Sequence, residues 1–254
     1  MDKARIAIIG YGAIARDILD ELGSGRFPCI CAVLHRTWPV ENHQADLHHM
    51  MTQEELDDWK PDLVIEAAGH DAVRRYAPYF LERGCPFLVS SVGALHETEL
   101  LELILSKARQ GKVRLILPSG AIGALDYVRA WRLTYDQTIV YESRKPLKAW
   151  KEELISRGYE LSSITEPILL FEGSAREAAR LYPANLNVAA TLALAGIGMD
   201  QTRVHVIADP ALEGNQHHIY ALSDHGKMSV TFANTVSPTN PKSSRIVAKS
   251  IVAA

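Results

Sequence analysis

Apolar residues recur at two different spacings along this chain, and the order in which the spacings alternate changes near residue 118. Residues 5–9 are a β-branched run that breaks at Gly10-Tyr11-Gly12-Ala13-Ile14-Ala15 and continues with Ile14, Ile18, Leu19 and Leu22 at helical intervals. That reads as strand, tight turn, helix. A second short apolar run covers 29–34, and residues 41–60 are polar and helix-prone, with Glu54, Glu55, Asp57 and Asp58. Next come a strand within 61–69 that runs into Gly69, a helix over 72–83, a strand at 87–90, a helix over 97–110 and a strand at 113–117. Such βαβ repetition predicts a doubly wound parallel sheet with its ligand crevice at the carboxyl ends of the strands.

Past Pro118 the regular alternation stops. A second glycine-rich turn, Pro118-Ser119-Gly120-Ala121-Ile122-Gly123-Ala124, leads to a helix over 125–132. Strand-like segments follow at 138–143, 168–172, 204–208, 217–222 and 228–232, with helices over 175–181 and 187–195. Strands without regular crossovers predict an α+β domain on a mainly antiparallel sheet. The amphipathic tail 241–254 is expected to return to the first domain. The expected division is therefore 1–117, completed by 241–254, and 118–240.

Composition narrows the partners. Over 254 residues, 47% hydrophobic and 22% charged with a net charge of −3, there is no basic field to attract nucleic acid or an anionic membrane. The run 188–199 is too short to span a bilayer and reads as a core helix. Cys29, Cys31 and Cys85 make no disulfide framework and read as buried thiols of a reduced compartment, with Cys29 and Cys31 on one face of a strand. The N-terminus carries no export signal, so a cytoplasmic location is expected.

The first glycine turn carries chemistry because of where it sits. After a strand and before a helix, Gly10 permits the turn, Gly12 removes a Cβ so that the backbone can approach a pyrophosphate, and Ala15 lets helix and strand pack closely. The diphosphate would rest on the unpaired first amides of the helix, including those of Ala13 and Ile14. Ala68, where 61–69 runs into its glycine, joins this cofactor-binding set. The result expected is a Rossmann dinucleotide-binding domain. No acid stands at His35-Arg36-Thr37, where a carboxylate would hold a ribose 2′-hydroxyl. Arg36 can pair with a 2′-phosphate or stack on adenine, so NADP is expected alongside NAD.

Two histidine groups stand out. On a strand over 217–222, His217 and His218 point to opposite faces, so only one can enter a given site. Histidine suits proton transfer because its ordinary pKa of about 6.5 lies near working pH. His43, His48 and His49 match no tight zinc spacing and are read as a solvated face, so no metal is expected.

Taken together, Gly10 to Ala15, the Pro118 to Asp126 segment, Phe171-Glu172-Gly173-Ser174-Ala175, Tyr182-Pro183-Ala184-Asn185-Leu186-Asn187-Val188-Ala189, Ala208-Asp209-Pro210 and the tail Ser237-Pro238-Thr239-Asn240-Pro241-Lys242-Ser243-Ser244 resemble the L-aspartate dehydrogenase family. The resemblance runs in order along nearly the whole chain. It implies a two-domain oxidoreductase, with a catalytic second domain, that interconverts L-aspartate with oxaloacetate and ammonia through iminoaspartate using NAD or NADP. It places cofactor contacts on Ala121 and Asn187 and the active-site histidine on His217. A dicarboxylate substrate then asks for cations and hydroxyls, for which Ser119, Lys145, Lys148, Ser237 and Lys242 are the candidates. A homodimer is expected, because one face of the second sheet needs cover, and a role in NAD biosynthesis is an expected extension. The competing readings are an enzyme of the homoserine dehydrogenase or dihydrodipicolinate reductase type, and a non-catalytic dinucleotide sensor.

Overall fold

A computed structural model describes residues 3–35, 47–132, 136–183, 186–237 and 243–254. The chain forms two compact units, Met1–Pro118 together with Ala248–Ala254, and Ser119–Val247.

In the first unit the strands are β1 (Ala4–Ile9), β2 (Cys29–Leu34), β3 (Leu47–Met50), β4 (Leu63–Glu66), β5 (Phe87–Val89) and β6 (Leu115–Ile116), in spatial order β3-β2-β1-β4-β5-β6. Every pairing is parallel. The strand order reverses between β1 and β4, the switch point at which such sheets hold ligands. Ala7, Ile8, Ile9, Ala32, Val33, Leu34, Phe87, Leu88 and Val89 are all buried. These are continuous rather than alternating apolar runs, as strands covered on both faces require. The helices are α1 (Ala13–Leu22), α2 (Gln53–Asp58), α3 (His70–Glu82) and α4 (Thr98–Gly111). A last helix of the chain, Ile246–Ala253, contributes Lys249 to an ion pair with Glu21 on α1.

One segment departs from the sequence expectation. Within 41–60, read as helix-prone, β3 occupies Leu47–Met50 and α2 is confined to Gln53–Asp58. Parallel pairing of Cys31–Leu34 with Leu47–Met50 overrides the local helical preference. Thr52 begins α2 with a capping box, its hydroxyl accepting from the Glu55 amide at 3.2 Å while the Glu55 carboxylate accepts from the Thr52 amide at the same distance.

The second unit contains α5 (Leu125–Trp131), β7 (Thr138–Pro146), α6 (Lys151–Ser156), β8 (Ile168–Ser174), α7 (Ala175–Leu181), α8 (Asn187–Ala195), β9 (Arg203–Asp209), β10 (Asn215–Ser223) and β11 (Gly226–Asn234). Its sheet runs β11-β10-β7-β9-β8. It is mixed, which corrects the mainly antiparallel expectation: β7 and β9 pair in parallel beside three antiparallel pairings. The reason is the chain between them, where β8, α7 and α8 make a crossover long enough to bring β9 back in the same direction. Along β10, Asn215, His217, Ile219, Ala221 and Ser223 are buried while the residues between them are not. One face of this sheet therefore carries the core.

Candidate active site

The glycine turn of the first unit is shaped by exclusion of side chains. Gly10 has φ of +101°, and a Cβ there would lie 2.8 Å from both the carbonyl oxygen of Ala67 and the Cβ of Ala68. Only glycine suits that backbone and that approach. At Gly12, by contrast, a Cβ would meet no atom of the described residues within 4 Å apart from its own chain neighbours. Gly12 also caps α1 without any side-chain hydrogen bond, so the first amides of the helix have no side-chain partner there. Room for the backbone to be approached at Gly12, beside helix amides without a side-chain cap, fits a dinucleotide diphosphate. Ala15 is fully buried.

Ala68 is placed by a residue the sequence reading passed over. Glu66 ends β4, is fully buried, and accepts from the amides of Ala68 (2.8 Å) and Gly69 (2.7 Å) and from the amide and hydroxyl of Ser91 (each 2.9 Å). Burial pushes its carboxyl upward while those donors pull it back, with burial the larger effect. It thus ties the β4–α3 loop to the loop after β5, on the carboxyl side of the sheet. A carboxylate closing an apolar run just before Ala67-Ala68-Gly69 was the available signal.

Arg36, Lys242 and His43 lie outside the described residues. His48 and His49 are exposed on β3. Cys29 and Cys31 do share a face, with sulfurs 4.0 Å apart, but both are half-buried rather than buried, and Cys85 alone is enclosed.

In the second unit the strand register separates the paired histidines. His217 is 3% exposed, on the core face of β10, directly opposite Ser143 of β7 and Phe232 of β11. His218 lies on the other face, 3.1 Å from the Ser229 hydroxyl and with its ring tilted against that of Tyr220. The Nδ1 of His217 is 2.7 Å from the Tyr141 hydroxyl, and its buried Nε2 has no hydrogen-bond partner among the described residues. Burial, with a smaller push from the Lys145 ammonium, lowers the imidazole to about 3. His217 is therefore neutral at working pH.

Lys145 is 2% exposed on the same face of β7 as Tyr141 and Ser143, with its ammonium 5.7 Å from the Trp150 ring. Lys148, in contrast, is exposed. Ala121 is buried, and its carbonyl accepts from the Asn234 amide at 2.7 Å. A Cβ at Gly123 would lie 3.2 Å from the Phe232 ring. Because Phe232 and Asn234 share the face of β11 that meets His217, the Ser119 to Ala124 turn approaches the same side of the sheet. Two positive φ angles, at Gly120 and Ala124, bend it there. Asn187 is half-buried at the first turn of α8, Ser119 is half-buried, and Ser237 is buried with its amide donating to Ser243. Tyr141, which the sequence reading missed, was legible only as an inward position of an alternating strand.

A parallel sheet with a side-chain-free turn at its switch point, followed by a second unit that encloses a histidine and a lysine on one sheet face, defines a dinucleotide-dependent two-domain dehydrogenase. Residues 10–118 match the family described as homoserine dehydrogenase, NAD binding domain, and residues 126–254 match aspartate dehydrogenase, C-terminal. An L-aspartate dehydrogenase 2 from Bordetella bronchiseptica is 44% identical over 98% of this chain and 94% of its own length. An L-aspartate dehydrogenase from Cupriavidus taiwanensis is 38% identical over 98% and 95%. The crystal structure of aspartate dehydrogenase from Thermotoga maritima shares the fold with a TM-score of 0.77 at 24% identity, covering 98% of this chain and 92% of that one. A dihydrodipicolinate reductase from Paenisporosarcina shares it more distantly, with a TM-score of 0.58 at 14% identity, covering 99% and 92%. The chain belongs to the L-aspartate dehydrogenase family.

Proposed function

We propose that this protein oxidises L-aspartate to iminoaspartate, which water converts to oxaloacetate and ammonia, and that the reaction runs reversibly with NAD or NADP. The observation that carries this reading is the enclosed, neutral His217, with an unpartnered Nε2, on the same sheet face as the buried Lys145. When bound, the dinucleotide supplies a nicotinamide that accepts hydride from the substrate Cα.

The remaining work falls to the chain. The ammonium of aspartate must lose a proton before hydride can leave, and water must lose one as it adds to the imine. His217 takes these protons at Nε2. Its basicity is lowered by burial and, to a smaller extent, by Lys145. A dicarboxylate substrate brings negative charge, offsets the Lys145 ammonium, and raises the imidazole toward the range where it can hold a proton. Lys145 then positions one carboxylate, with Ser119, Ser237, Lys148 and Lys242 as further candidates. Gly10, Gly12, Ala13, Ile14 and Ala68 hold the diphosphate side of the cofactor through backbone. Ala121 leaves room beside the nicotinamide, and Asn187 offers its amide to ribose or carboxamide. Arg36 serves the 2′-phosphate of NADP.

The other face of the second sheet exposes Leu169, Tyr220 and Leu222, which supports a homodimer built there. No helix among the described residues is long and apolar enough to cross a membrane. The reading extends to a cytoplasmic enzyme that supplies iminoaspartate to NAD biosynthesis.

Initial-rate NAD(P)H absorbance with L-aspartate, with oxaloacetate plus ammonia, and with homoserine tests the substrate. Turnover with L-aspartate far above that with homoserine is expected; the reverse order overturns the assignment. Cofactor binding with no turnover on any of them would favour the sensor reading.

A further inference from the structure

Tyr141 and Ser143 alternate with half-buried neighbours along β7, so their side chains share the core face with Lys145. In the antiparallel pairing with β10, Ser143 stands opposite His217 and Tyr141 opposite Ile219. Tyr141 is therefore the diagonal neighbour of His217. Its ring lies nearly parallel to the imidazole, at 11° with centroids 6.0 Å apart, and its hydroxyl is 2.7 Å from Nδ1. The phenol is fully buried, and burial raises its ionisation well beyond the ordinary tyrosine range. It stays protonated at working pH.

The hydrogen between Nδ1 and the phenol can sit in two places. If Tyr141 donates, the imidazole hydrogen is on Nε2, which leaves a buried N–H with no acceptor among the described residues. The Ser143 hydroxyl, which lies beside the phenol, can donate to the Tyr141 oxygen in that arrangement. If Nδ1–H donates to the Tyr141 oxygen, the phenolic hydrogen is free to turn toward Ser143, and Nε2 presents a lone pair. Orphaned buried donors are rarer and costlier than under-used acceptors. Each arrangement strands one buried hydrogen, on Nε2 in the first and on a hydroxyl in the second, so the choice falls to the reaction: only the second gives Nε2 a lone pair that can take a substrate proton.

We propose that Tyr141 is a positioning residue for the dehydrogenase reaction: its hydroxyl oxygen accepts the Nδ1 hydrogen of His217 and holds the imidazole in the tautomer whose Nε2 lone pair faces the substrate. This rests on the reading of His217 as the proton-transfer group. During deamination the substrate N–H bond breaks and an N–H bond forms at Nε2. The resulting imidazolium keeps its Nδ1–H on Tyr141, which stabilises the charge without moving a proton to the phenol. Lys145, the charged group that acts on His217 from the same strand face, opposes that charge until a substrate carboxylate meets it.

The test combines nitrogen NMR of the full-length protein labelled at histidine with kinetics of Tyr141→Phe, which keeps the stacked ring and removes only the oxygen. In the unaltered protein, His217 is expected to carry its hydrogen on Nδ1; a hydrogen on Nε2 overturns the proposal, whether or not the variant folds. Tyr141→Phe is expected to mix the tautomers and to lower kcat by roughly 10–100-fold with little change in KM for aspartate. The acid limb of its pH–rate profile should move to lower pH, because the imidazolium loses an acceptor. Movement to higher pH would mean that Tyr141 is a donor, and no movement in tautomer or profile would mean that it only packs; either result overturns the proposal. A parallel His217→Ala arm separates the two claims. Full activity there removes the proton-transfer reading itself, whereas loss there with an unchanged Tyr141→Phe removes only the role of Tyr141.

Discussion

At Gly10 the backbone turns left-handed and the Ala67 carbonyl stands 2.8 Å from where a Cβ would sit, so the fold leaves no place for a side chain. At His217 the fold does the reverse, enclosing a whole imidazole and leaving one of its nitrogens unmatched. The first unit prepares helix amides without a side-chain cap, with room for approach at Gly12. The second prepares a buried polar atom, and electrostatic interactions are stronger away from bulk water. The contrast suits the two ligands. A dinucleotide is large and recognised largely through its phosphates, while a small dicarboxylate must be held and deprotonated by specific side-chain atoms.

If this division holds, substitutions in the two units should damage different steps. The largest effect is expected from His217→Ala, with kcat lower by roughly 10²–10⁴-fold and the cofactor Kd nearly unchanged, read by initial rates and by fluorescence titration. In the first unit, Gly10→Ala combines a strained φ with a backbone clash. Strain of about 1–3 kcal/mol should lower Tm by about 2–12 °C in a thermal melt. Gly12→Ala has neither fault, with φ of −77° and open space around a Cβ. Its stability should stay within about 0.5 kcal/mol of the parent while dinucleotide affinity falls, which a melt and a titration separate cleanly.

Acid provides a further distinction. The imidazole of His217 titrates near 3 when folded and near the ordinary value of about 6.5 when unfolded, so the unfolded chain binds the proton first. Its contribution is constant above about pH 6.5 and is lost as pH falls toward 3, by up to about 1.4 kcal/mol per pH unit. Urea midpoints measured between pH 7 and pH 4 should therefore fall less steeply for His217→Gln than for the parent. The smallest effect belongs to His218→Ala, on the opposite face of β10, where kcat should change by less than about twofold. If His218→Ala is instead the damaging variant, the face assignment fails.

Much of the first unit was legible because its devices are written as absences. A β-branched run that ends in Gly10-x-Gly12 and continues at helical spacing admits few other structures. Edge strand β3 escaped because its four residues contain only one buried apolar position, Leu47, too few for a period-2 pattern to show. In the second unit the alternation of β10 already placed His217 and His218 on opposite faces, although nothing local said which face was buried. The parallel β7–β9 pairing was hidden because it depends on treating β8, α7 and α8 as one crossover. Tyr141 and Glu66 were hidden for a related reason: each acts through partners that only the register of neighbouring strands reveals.

The central claim is that cofactor holding and proton transfer are separable properties of the two units. It is tested most directly by measuring cofactor Kd and kcat at saturating cofactor side by side for Gly12→Ala and His217→Ala. The account predicts a crossed result, with Gly12→Ala losing affinity but keeping most of its kcat, and His217→Ala losing kcat but keeping affinity. Parallel loss of both quantities in both variants, or a His217→Ala protein that turns over L-aspartate at the parent rate, would contradict it.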